Sequence, residues 1–123
     1  MGMDQTVTFP GGAVPAWPAV RALLEGHGYP VQTRMIDGEL AFPDEAPPEA
    51  WHELRLGTPH GMVTARRGPD HVTLVTWGNA DAAMLQAWHA VTWAFAAAGG
   101  GRVAGLDADA FRRSADLPAA LRP

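Results

Sequence analysis

Between His71 and Gly99 the spacing of apolar residues changes period once, from two to between three and four. Val72-Thr-Leu-Val-Thr-Trp77 is dense in β-branched and aromatic residues, which fit a pleated, partly buried surface. Alternation sets Val72 and Leu74 on one face and Val75 and Trp77 on the other. Apolar groups on both faces predict an interior strand, or a sheet whose second face is also covered. Gly78-Asn79 ends the strand, and Asn79 is a candidate N-cap for a helix opening at Ala80 and stopping at Gly99-Gly-Gly101. At about 100° per residue, Met84, Trp88, Val91, Phe95 and Ala98 form the core stripe of that helix, flanked by Leu85, Thr92 and Ala96. Gln86, His89 and Trp93 fall on the far side. A tryptophan there has two readings. Either a loop or the C-terminal tail covers it, or Trp93, with His89 and Gln86, anchors an interface.

The remaining segments are shorter. Gln5-Thr-Val-Thr-Phe9 alternates and predicts a first strand with Val7 and Phe9 on one side, preceded by a loose end at 1–4. After Pro10-Gly-Gly12 a helix is expected with Pro18 in its first turn, a stripe of Val20, Leu23, Leu24 and His27, and Gly26 or Gly28 at its end. Asp37-Gly38 is a two-residue hairpin signal. A turn centred there pairs Ile36 with Glu39, Met35 with Leu40, Arg34 with Ala41 and Thr33 with Phe42. Val31, Thr33, Met35, Leu40 and Phe42 would then share one face. Pro43 to Pro48 is an acidic connection, and Pro47 to Trp51 suits one helical turn. Strands are expected at 53–56 and 62–67, a short edge strand at 102–106, a helical turn within 107–117, and an irregular tail at about 118–123.

The order of elements implies one α+β domain spanning 1–123. Its expected form is a sandwich: an antiparallel sheet of about five to seven strands with two main helices packed on one face. Such a fold hosts unrelated functions.

Composition then removes several classes. Hydrophobic content of 47% and charged content of 18% are those of a folded globular chain. A net charge of -4 disfavours electrostatic nucleic-acid binding. All nine basic residues are arginine, and alanine, glycine and proline abound, a codon bias that suggests a GC-rich bacterial genome. The absence of cysteine excludes disulfides, thiolate zinc sites and a cysteine nucleophile, and fits the cytoplasm. The long helix has the length of a membrane span, but Asp81, Gln86, His89 and many alanines point to a soluble core helix, so no membrane partner is expected.

Candidate chemistry is sparse. The histidines at 27, 52, 60, 71 and 89 form no helical i,i+4 pair and no HExxH, so no metal site is expected. Asp107-Ala-Asp109 reads as a turn or helix cap, with a divalent cation as the sharper alternative. The glycine clusters lack the spacing of phosphate loops, and the single serine, Ser114, sits in no nucleophile elbow. One constellation remains: Arg55 and Arg66 on neighbouring strands, with Trp51, His60 and Trp77 at strand ends. On the face away from the helices these could line a groove for a small anionic or aromatic ligand, unless the arginines are neutralised by Glu39, Glu53 or Asp70. No catalytic residue and no cofactor are assigned, and the reading leans against an enzyme. The favoured function is a small cytoplasmic interaction module of an immunity- or antitoxin-like class, acting on a protein partner or on a second copy of itself. The alternative is a small-molecule binder or small enzyme built on Arg55, Arg66, His60 and Trp77.

Overall fold

The computed structural model describes residues 2–123. The predicted interior strand is the centre of the sheet. In chain order the elements are β1 (Gly2–Thr8), α1 (Trp17–Gly26), β2 (Gln32–Ile36), β3 (Glu39–Leu40), β4 (Glu53–Thr58), β5 (Gly61–Arg67), β6 (His71–Trp77), α2 (Ala82–Gly99), β7 (Arg102–Val103), β8 (Leu106–Asp107) and α3 (Ala108–Ser114), closed by a 3₁₀ turn at Ala119–Leu121. The eight strands form one antiparallel sheet in the order β3-β2-β4-β5-β6-β1-β7-β8. The expected α+β class holds. The strand count exceeds the expected range by one, because the single edge strand expected at 102–106 is instead a tight hairpin: β7 and β8 pair two residues each across a turn at Ala104 and Gly105, both with positive φ.

β1 corrects the expected loose end. It begins at Gly2, paired with Trp77, so residues 2–4 belong to the sheet and only Met1 of the supposed loose end lies outside the described residues. It also lies between β6 and β7, an interior position for the N-terminal strand. Val7 and Phe9 are buried on the helix side, as their alternation implied. At the other end, Leu121 is fully buried and Arg122 donates from Nε to the Leu117 carbonyl, so the tail is ordered against the core.

The hairpin is set by Asp37 and Gly38, both with positive φ (50° and 84°), the geometry of a type I′ turn. It pairs Ile36 with Glu39 and Met35 with Leu40, as the turn chemistry requires. The shared face does not survive. A bulge between Thr33 and Met35 breaks the register against β4: Thr33 lies opposite Leu56 and is buried, while Met35 lies opposite Arg55 on the other face. Leu40 and Phe42 are therefore solvent-facing, at 89% and 74% exposure. The expected helical turn at 47–51 is a simple turn instead, and it delivers Trp51 into the core against Phe95.

α2 packs on β5, β6 and β1, with α1 beside it and α3 across its outer side. Its cap is Asp81, whose carboxylate accepts from the Met84 N–H at 2.8 Å; Asn79 lies in the preceding turn. Gly100, with φ 64°, ends the helix in the left-handed region. The expected stripe holds for Met84, Trp88, Val91 and Phe95, but Ala98 is exposed. From Ala87 to Ala96 the helix is buried almost all round, because sheet, α1 and α3 enclose it. Among the described residues no helix is long and apolar enough to cross a membrane.

Candidate functional site

With the helices gathered on one side, the opposite face of the sheet has no layer over it among the described residues. Strand phase fixes what this face displays. Leu54, Leu56, Val63, Ala65, Val72 and Leu74 point to the core, so their neighbours in sequence point outward. Register then aligns the outward residues in rows across the strands. One row runs Met35, Arg55, Thr64, Val75, Asp4. Beside it lie Gly57 with Met62 on β4 and β5, and Trp77 with Gly2 on β6 and β1. On the other side lie Glu53 with Arg66, and Thr73 with Thr6.

These rows enclose a depression of about 470 Å³, with Arg55, Arg66 and Trp77 around it and Met62, Thr64 and Val75 among its lining. Trp77 is 66% exposed, a large apolar surface left in water on an otherwise covered strand. Arg66 donates from Nε to the Glu53 carboxylate at 3.2 Å, the neutralisation the sequence allowed for. Arg55 has no carboxylate partner among the described residues; its guanidinium rests 3.9 Å from the Met35 sulfur. Asp4, across the depression, likewise has no cationic partner among them. Arg34 lies along the same face over Gly57, where a Cβ would stand 2.7 Å from Arg34 Nε.

The two other members of the predicted groove lie elsewhere. His60 sits in the β4–β5 turn with its ring 6.4 Å from that of Tyr29. Trp51 is a core residue, capped by the Arg67 guanidinium at 5.4 Å from its ring centroid. Asp4, Met62 and Gly2 were absent from the predicted groove. Continuing the β1 alternation back from Val7 would have found the first and last; Met62 needed the strand pairing.

The partner-binding surface expected on α2 is occupied by the chain itself. Trp93 is 4% exposed, held between the Arg112 guanidinium of α3, 5.0 Å from its ring centroid, and the ring of His27, the C-cap of α1, perpendicular to it with centroids 5.4 Å apart. Of its two readings, cover within the chain is the one observed, and α3 with the end of α1 supplies it in place of the expected loop or tail. Gln86 donates to both oxygens of Asp116, in the segment after α3. His89 lies against Phe111 and Trp88, with its Nδ1 3.3 Å from Gln5 Nε2. The same Gln5 amide donates to Thr92 Oγ1 at 2.8 Å, so an inward-facing β1 residue and α2 share a polar contact inside the fold. Burial lowers the pKa of His89, against a smaller upward pull from the Asp116 charge.

Asp107 turned out to be a cap, accepting from the Ala110 N–H at 2.8 Å, and the described residues hold no cluster of metal-ligating side chains. The groups around the depression are guanidinium, carboxylate, indole and thioether. They suit recognition of charge and apolar surface together. Set against family models, characterised proteins and solved structures, the chain matches none.

Proposed function

We propose that the protein is a binding module whose working surface is the open face of the sheet, and that it acts through protein contacts. The observation that carries this reading is the pairing of an exposed indole, Trp77, with the unpaired Arg55 beside one depression. Aromatic and arginine side chains are the residues that dominate interface energetics. The reading moves the surface from the long helix to the sheet, since Trp93, His89 and Gln86 already have partners within the chain.

Affinity capture with three forms of the tagged protein tests this. The wild type should retain a stoichiometric protein, whether a second species or untagged copies of the same chain. Trp77→Glu should lose it, and Gln86→Ala should keep it. Capture that survives Trp77→Glu, or no capture by the wild type, overturns the reading.

A second reading rests on the depression itself. Its volume of about 470 Å³ lies within the range of about 300–1,000 Å³ typical of small-molecule pockets. A planar carboxylate could stack on Trp77 and ion-pair with Arg55. Thermal-shift screening with aromatic carboxylates would support it if stabilisation disappears in Arg55→Gln.

A further inference from the structure

We infer that the protein the open face recognises is a second copy of this chain, related by a two-fold axis that runs along the strands midway between β5 and β6. This inference rests on the reading of the sheet face as a protein-binding surface and adds the identity of the partner.

Strand register makes the face self-complementary. The line between β5 and β6 has four strands on each side of it. Rotation about an axis along that line, lying in the plane between two facing sheets, exchanges β5 with β6 and β4 with β1 while keeping the level along the strands. A C2 interface must be self-complementary under that exchange. The outward rows are. In the first, Arg55 on β4 comes opposite Asp4 of the second copy, and Thr64 comes opposite Val75. Both ions lie one strand outside the central pair, about 7 Å from the axis. They are the opposite charges of the depression that have no ion-pair partner among the described residues of the monomer. In the neighbouring row Met62 comes opposite Trp77, a thioether against an indole. Arg34, lying over Gly57, stands beside that indole and faces the bare Gly2 of the second copy.

The third row also fits. Arg66 comes opposite Thr73, and Glu53 opposite Thr6, so no like charges meet, and Arg66 keeps its own Glu53. Every contact occurs twice. Facing sheets pack about 10 Å apart with strand directions within about 30° of each other, a range that includes the near-parallel arrangement this axis produces. An arginine and an aspartate together span that gap. The depression that Trp77 borders in one copy would receive Trp77 of the other.

Sedimentation velocity on the intact chain tests the arrangement through charge exchange. The wild type should be a dimer. Arg55→Asp and Asp4→Arg should each sediment as monomers, because each doubles a like-charge contact across the axis. An equimolar mixture of the two variants should dimerise again, since each then offers what the other lacks. Both positions are exposed, so the fold is expected to persist, checked by far-UV circular dichroism. If either reversal fails to fold, Arg55→Gln and Asp4→Asn take its place, each weakening the dimer by roughly tenfold to a hundredfold. A wild type that stays monomeric at 100 μM overturns the inference. So does a dimer indifferent to both reversals, or a mixture that remains monomeric. A monomeric wild type that still captures a different protein in a Trp77-dependent way would sink the second copy alone and leave the binding face standing.

Discussion

Two tryptophans exchange the roles their sequence positions suggest. Trp93 sits on the nominally wet side of a helix and is buried; Trp77 sits on a strand dense in core-forming residues and is two-thirds exposed. Trp93→Ala should therefore cost about 3–5 kcal/mol, the range for large core truncations. Trp77→Ala, in dilute protein, should change stability by within about 0.5 kcal/mol. Urea unfolding of the two variants beside the wild type checks this, and equal losses would contradict the burial difference. Asp37 makes a different kind of contribution. Its Oδ1 accepts the N–H groups of His52 at 2.7 Å and Glu53 at 2.9 Å, and these bonds hold its carboxyl below the ordinary carboxylate range. A group depressed in this way stabilises the fold above its unfolded pKa, and the contribution fades as pH falls through the folded value. Asp37→Asn keeps the shape and the positive φ but not the charge. At neutral pH it should lose between a few tenths and about 1 kcal/mol, limited by solvent exposure. In acid the two proteins should unfold alike, which pH-dependent melts would show.

At the scale of elements, long periodic stretches were readable and short or interrupted ones were not. β6, the α1 stripe and the Asp37-Gly38 turn follow from local chemistry, so the sequence carries them in place. The bulge at Thr33–Met35 could not be seen, because alternation counted from the turn holds only while both strands advance in step. The same limit applied to the site. Arg55, Arg66 and Trp77 could be grouped from strand phase, but Trp51 was drawn into the core by a turn whose path the sequence leaves open. α3 was legible only as a turn, yet it explains α2. Phe111 and Arg112 supply the cover that makes a helix apolar on nearly all sides stable in water. His89 lies at that contact, faced by Phe111 and Trp88, by the Gln5 amide and by the Asp116 carboxylate. Burial lowers its pKa, so on acidification the unfolded chain takes up the proton first. This contribution is intact above the ordinary histidine range and declines as pH falls below about 6.5. The wild type should thus lose more thermal stability between pH 7.5 and pH 5 than His89→Gln does. Parallel melts at the two pH values measure this difference, and equal losses would mean that the α2–α3 contact carries no proton linkage.

The whole molecule depends on a pairing its chain order makes expensive. β1 joins β6, a strand some 70 positions later, and also carries β7 on its far edge. Closing so long a loop must precede the contacts that reward it. The return is large: Val7 and Phe9 enter the core, Gln5 bonds α2 from below, and the β7–β8 hairpin gains the strand it hangs from. The opposite edge has no such dependence. β3 contributes a two-residue pairing and presents Leu40 to solvent, with Phe42 exposed just beyond it. Removing residues 1–9 should consequently abolish the cooperative thermal transition, because the core would lose two apolar side chains and β6 would become an unpaired edge. The double substitution Leu40→Ser, Phe42→Ser should leave the transition within a few degrees of the wild type. Calorimetry of the three proteins decides between these outcomes. A truncated chain that still melts cooperatively would mean that β2 to β6 with α2 fold as a unit of their own, and that β1 is an addition to the sheet rather than the strand that completes it.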